Sequence, residues 1–132
     1  MRAAAIVILL GTALPVSGQE QIPVPSGQAV RFQDVILNQP GPMGLSARFR
    51  FIAPAISREG GAISFETASS DMEYLCNSFA LPKVTTGTGP VPAQIIVSMS
   101  DIPVNFGEIT PEATQFFEAF SIAGDACLWE QF

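Results

Sequence analysis

Histidine is absent from the 132-residue chain. The commonest general base and the commonest transition-metal ligand are therefore both missing. Charge is scarce as well: Asp, Glu, Lys and Arg make up 14% of the residues, against 48% apolar ones. That balance marks a folding chain rather than a disordered one. Basic residues are few, 6 against 12 acidic ones, for a net charge of −6. An acidic surface repels phosphate backbones, so nucleic acid is excluded as a partner, and anionic lipid is repelled too. No stretch reaches the roughly 20 apolar residues that a membrane helix needs. Glycine-rich phosphate loops are also missing. Gly87 and Gly89 stand in a Thr/Gly loop with no Gly-Lys-Ser/Thr ending and no preceding strand.

The first residues carry an address. Met1-Arg2, an apolar run from Ala3 to Leu14, and Pro15-Val16-Ser17-Gly18 have the three parts of a secretory signal peptide. Cleavage is expected after Gly18, leaving one periplasmic domain, residues 19–132, that does not insert into the membrane. Removal of Arg2 leaves 5 basic against 12 acidic side chains, a net charge of −7. The charge is lopsided. Four arginines, Arg31, Arg48, Arg50 and Arg58, precede residue 59, whereas Lys83 alone stands against ten acids in residues 59–132. Pairing of the two segments inside one fold is the expected balance.

Two cysteines, Cys76 and Cys127, remain in this exported chain. An even pair in an oxidising compartment is expected to form one disulfide. Redox pairs use closer spacing such as Cys-x-x-Cys, and two cysteines without histidine make a poor metal site. Neither a metal nor an organic cofactor is implied.

Hydrophobic periodicity predicts an α+β domain: an antiparallel sheet of five or six strands with one helix packed on one face. Residues 29–37 are rich in β-branched and aromatic side chains, and Asn38-Gln39-Pro40-Gly41-Pro42 should end that strand. Residues 45–51 alternate, with Leu45, Ala47, Phe49 and Phe51 on one face and Ser46, Arg48 and Arg50 on the other. Residues 62–67 repeat the pattern, so the two runs are expected to pair as a hairpin, with Phe51 opposite Phe65 and Arg50 opposite Glu66. Ser70-Asp71-Met72-Glu73 reads as a capping box. Met72, Leu75, Cys76 and Phe79 follow at helical spacing, and Pro82 should stop the helix. Residues 93–99 form the most apolar run after the signal, expected as a central strand. A hairpin of residues 114–122 with 126–132 is expected to close the chain, although Thr110-Pro111-Glu112 could instead open a helix.

Three patches carry a family resemblance: Ile95-Ile96-Val97-Ser98-Met99-Ser100-Asp101, Thr114-Gln115-Phe116-Phe117-Glu118-Ala119-Phe120, and Cys127-Leu128-Trp129-Glu130. With the signal and the Leu75-Cys76 pair, they resemble a family of small exported proteins from alphaproteobacteria of the Rhodobacter kind. That family has no established function, so the resemblance implies no catalytic residues. Some members carry an acetolactate synthase label. Such chemistry needs a thiamine-diphosphate enzyme several times longer, with a diphosphate-binding motif that is absent here.

Catalysis would have to rest on carboxylates. Glu108, Glu112, Glu118 and Glu130 cluster in the last quarter, and a pair about 5 to 9.5 Å apart could cleave glycosides. Ser78 and Ser98 lack a base, Lys83 is expected to face water, and Asp71 with Glu73 offers too few oxygens for calcium. An eight-stranded barrel ending at Phe132 would leave no room for the helix and the proline-rich loops. The stronger signal is aromatic. Phe116 and Phe117 are adjacent, so on a strand they point to opposite faces. With Trp129 they are the candidate binding residues for another protein of the periplasm. A non-catalytic binding or accessory domain is thus the expected function, and a small carboxylate-dependent hydrolase acting on cell-envelope material is the alternative. Oligomeric state leaves no trace in the sequence.

Overall fold

The computed structural model describes residues 20–130. The expected signal segment, its cleavage point and Phe132 lie outside the described residues. Five strands stand in chain order across one mixed sheet: β1 (Arg31–Gly41), β2 (Gly44–Ile52), β3 (Gln94–Ser100), β4 (Gln115–Ala123) and β5 (Ala126–Trp129). Three of the four pairings are antiparallel, and β2 runs parallel to β3. A crossover helix joins those two strands and covers one face of the sheet. The α+β class therefore holds, and the all-antiparallel expectation fails at this one pairing. Among the described residues no helix is long and apolar enough to cross a membrane.

The partner of β2 is also corrected. Residues 62–67 are not a strand, and β1 forms the hairpin with β2 through a Pro42-Met43 turn. Phe51 therefore stands opposite Phe32 and Met99, not Phe65. The expected alternation within β2 holds for Ala47, Phe49 and Phe51, which are buried beneath the helix, whereas Leu45, expected on the same buried face, is 43% exposed at the start of the strand. Two bulges in β1, at Gln33 and next to Asn38 (φ 59°), let it run on to Gly41. The first bulge turns both Phe32 and Val35 toward the core, which strict period two forbids.

The helix begins earlier than expected and ends later. Ser64 is its N-cap, its hydroxyl accepting from the Thr67 N–H at 3.2 Å. The chain before the cap is tightly folded: a Cβ on Gly61 would lie 2.1 Å from the Ser57 carbonyl oxygen, so only glycine fits there. Ser70 lies inside the helix, where its hydroxyl reaches the Glu66 carbonyl at 3.5 Å. Ser64→Ala is accordingly expected to lower stability by about 1 kcal/mol. Ser70→Ala should stay within about 0.5 kcal/mol, both read from urea unfolding. Equal effects would contradict the helix start.

Pro82 does not stop the helix. After α1 (Phe65–Leu75) the chain widens into a π segment, Cys76–Ala80, then continues as α2 (Leu81–Thr86). The Leu81 N–H reaches back five residues to the Cys76 carbonyl. The wide turn takes in the proline that a regular helix would exclude.

The buried stripe of the helix (Met72, Leu75 and Cys76) packs on Ile95, Val97 and Phe120. The Phe79 ring sits among Phe32 at 5.0 Å, Phe51 at 5.5 Å and Phe49 at 6.2 Å. Lys83 lies over that ring at 4.1 Å. The expected Cys76–Cys127 disulfide is present, its Cα atoms 6.2 Å apart. It ties the helix to β5, and Asn77 adds a second tie by accepting the Cys127 N–H at 2.9 Å. At the other end, buried Asp71 anchors the segment before β1. Its carboxylate accepts from the Ser26 N–H at 3.0 Å, the Ser26 hydroxyl at 2.5 Å and the Gln28 amide at 2.8 Å.

Candidate functional site

The helix leaves the opposite face of the sheet without a helical cover. Register places Asp34, Arg50, Ser98 and Phe117 in one row across that face. Ile36, Arg48, Ile96 and Ala119 form the next row. The chain between β3 and β4 folds back over part of it. Gln33, freed at its bulge, donates its side-chain amide to the Val104 carbonyl at 3.1 Å and anchors this segment. A turn at Asn105-Phe106-Gly107-Glu108 (Gly107 φ 85°) carries Phe106 over the arginines. The guanidinium of Arg50 lies 5.6 Å from the Phe106 ring centre and that of Arg48 6.0 Å. Arg48 is also 5.9 Å from the Phe117 ring. The result is a cleft of about 150 Å³, with Gln33, Arg48, Arg50, Ser98, Phe106 and Gln115 in its walls.

The two arginines differ. Arg50 is nearly buried and makes a two-pronged pair with Asp34, at 2.7 Å from Nε and 2.9 Å from Nη2. This pair replaces the expected Arg50–Glu66 contact. Arg48 is half-buried and has no hydrogen-bond or carboxylate partner among the described residues. Burial, and after it the charge of Arg50, lowers its pKa. A guanidinium still stays protonated at neutral pH. Among the described residues Arg48 thus has no ion pair of its own, although Glu108 lines the same cleft.

The expected pairing of the basic first half with the acidic second half is not seen as ion pairs. Asp34–Arg50, the single salt bridge among the described residues, lies within the first half. Arg58 does reach the second half, donating to the carbonyls of Pro111 and Ala113 and to the Thr114 hydroxyl.

The three candidate binding aromatics fall on two surfaces. Phe117 lies on the open face beside Arg48, next to the cleft rather than in its wall, and is 54% exposed. Phe116 points to the helix side, edge-on to Phe65 at 5.2 Å. Trp129 shares that side, stacked on Phe120 at 6.4 Å and 49% exposed. Glu118, a polar residue among the aromatics of its strand face, is held between layers. It accepts from the Trp129 indole N–H at 2.6 Å and the Ser69 hydroxyl at 3.2 Å. Phe116 and Trp129 therefore cannot join Phe117 in one site. The alternation of β2 already placed Arg48 and Arg50 together on the face away from the helix. Nothing periodic marked Phe106, whose position depends on the bulge at Gln33.

Among the described residues no three His, Cys, Asp or Glu side chains gather as a metal site. A second cavity, about 250 Å³ and largely apolar, lies between the end of the helix and β1, against Val35, Phe49, Val84 and Pro90.

Comparison with curated proteins and with solved structures finds no match. A family model does match, over residues 7–132, and its description is a family of unknown function, DUF6497. The match spans nearly the whole sequence, including every residue of the cleft, and the chain belongs to that family.

Proposed function

We propose that the protein is a non-catalytic accessory domain of the periplasm that binds another envelope protein through the open face of its sheet. One observation carries this reading: Phe117 stands more than half exposed beside Arg48, which has no ion-pair partner among the described residues, next to an open cleft. Exposed aromatics and arginine together are the side chains that most often anchor protein interfaces. Export rests on the signal-like residues 1–18, and a disulfide suits an oxidising compartment. Phe116 and Trp129 belong to a separate, subsidiary surface in this reading.

The hydrolase alternative needs two carboxylates facing each other in one cleft. Glu108 lines the cleft, whereas Glu118 lies on the other side of the sheet. No observation favours that alternative.

Phe117→Ser tests the proposal. The side chain is exposed, so stability should change by no more than about 0.5 kcal/mol. Affinity for a partner captured from an envelope extract and identified by mass spectrometry should fall about tenfold, equivalent to about 1.4 kcal/mol. Unchanged capture would remove the open face from the binding surface.

A further inference from the structure

We infer that the cleft on the open sheet face is a carboxylate-binding site, in which Arg48 takes one carboxylate of the partner and the rings of Phe106 and Phe117 flank the adjoining apolar group. The inference rests on the binding function proposed above and specifies its chemistry.

Charge balance is the first argument. Two guanidinium groups stand in the cleft; Asp34 is taken up in both prongs by Arg50, and Glu108, on the cleft wall, accepts from the Asn105 amide and forms no salt bridge with Arg48 among the described residues. Arg48 is left as a half-buried cation beside a second cation, an arrangement that a bound anion would relieve. Its phenyl neighbours attract its charge through their faces but offer no acceptor, so its N–H fork stays open to a ligand.

Neighbouring polar groups support the same ligand. Ser98 and Gln115 both line the cleft, and neither side chain has a hydrogen-bond partner among the described residues. Both can donate to a second carboxylate oxygen or to an adjoining amide. The anion should carry a single charge. Glu108 lines the same cleft, and the chain as a whole is at −6, so a polyanion would be repelled. Size agrees: about 150 Å³ holds roughly five water volumes, enough for a carboxylate and a few attached atoms but not for a nucleotide. A carboxylate in a protein partner comes either from the end of the chain or from an acidic side chain.

The test is a titration of the full exported protein followed by NMR, reading the Arg48 Nε–H and Phe117 ring signals. Three probes are compared: N-acetylphenylalanine, its amide, and N-acetylglutamyl-phenylalanine amide. The first presents a chain-end carboxylate, the third a side-chain carboxylate, and the amide neither. Binding near 1 mM, about the strength open to so small a ligand, is expected for one or both acids, with at least tenfold weaker binding of the plain amide. Whichever acid binds more tightly identifies the source. Arg48→Gln should abolish the preference for acid over amide and Arg48→Lys should restore part of it. The comparison of acid with amide on the unaltered protein needs no variant to fold.

No shift with either acid, or equal binding of the plain amide, would overturn the carboxylate assignment. Partner capture that still depends on Phe117 would in that case leave the proposed binding function standing.

Discussion

Cys127→Ser is expected to lower the stability of the oxidised protein by about 2 to 5 kcal/mol. The bridge joins residues 51 apart in the chain. Closing a loop of that length removes about 4 kcal/mol of chain entropy from the unfolded state. Native consequences follow the same direction. The final strand has four residues, and its edge is held by the disulfide and by Asn77. Without the bridge the strand should fray, carrying Trp129 away from Phe120. Urea unfolding gives the size of the effect, and tryptophan fluorescence reports the local loosening, since Trp129 is the chain's one tryptophan. A loss below about 1 kcal/mol would mean that packing alone docks the last strand.

Asp71→Ala should have the second largest effect, about 3 kcal/mol, given that a hydrogen bond to a charged group contributes about 1.5 to 3 kcal/mol. The substitution leaves three donors without an acceptor, two from Ser26 and one from Gln28. Asp71→Asn should cost much less. Gln28 Oε1 is buried without a partner, so its amide can turn over and accept from the new Asn amide. Loss should concentrate before β1, where Ile22 and Gly27 donate to the carbonyls of Val30 and Val24. Hydrogen exchange at those two amides checks it. Equal costs for the alanine and asparagine variants would show that the carboxylate is not the anchor.

Much of this architecture was legible in residue order. Residues 45–51 alternate without a break, and 93–99 form a single apolar run, so β2 and β3 emerged within a residue of their ends. Gly124-Asp125 marked the last hairpin because glycine there takes the left-handed backbone of a two-residue turn (φ 63°). The failures share a cause. Ile63 and Phe65 mimic a strand because a run so short fits period two as well as the entry to a helix. Ser64 lacks a glutamate three residues on, so Ser70 offered the better capping motif, although only Ser64 stands where the backbone needs a cap. Pro82 stops a regular helix, and the π segment that accommodates it has no signature in the sequence.

Half of the cleft was visible in the same way. Period two placed Arg48 and Arg50 on the outer face and set Phe117 on the face opposite Phe116, without saying which of the two faces outward. The other half comes from a segment without periodicity. It is positioned by Gln33, a residue displaced by a bulge that only the pairing of β1 with β2 creates.

The proposed binding surface is the open face of the sheet, not the helix side. Photo-crosslinking from single introduced positions in living cells separates the two faces. A photoreactive phenylalanine analogue at position 117 should give a discrete cross-linked species, and the same analogue at Tyr74, exposed on the helix, should give none. Cross-linking from position 74 alone, or the same products from both positions, would contradict the claim.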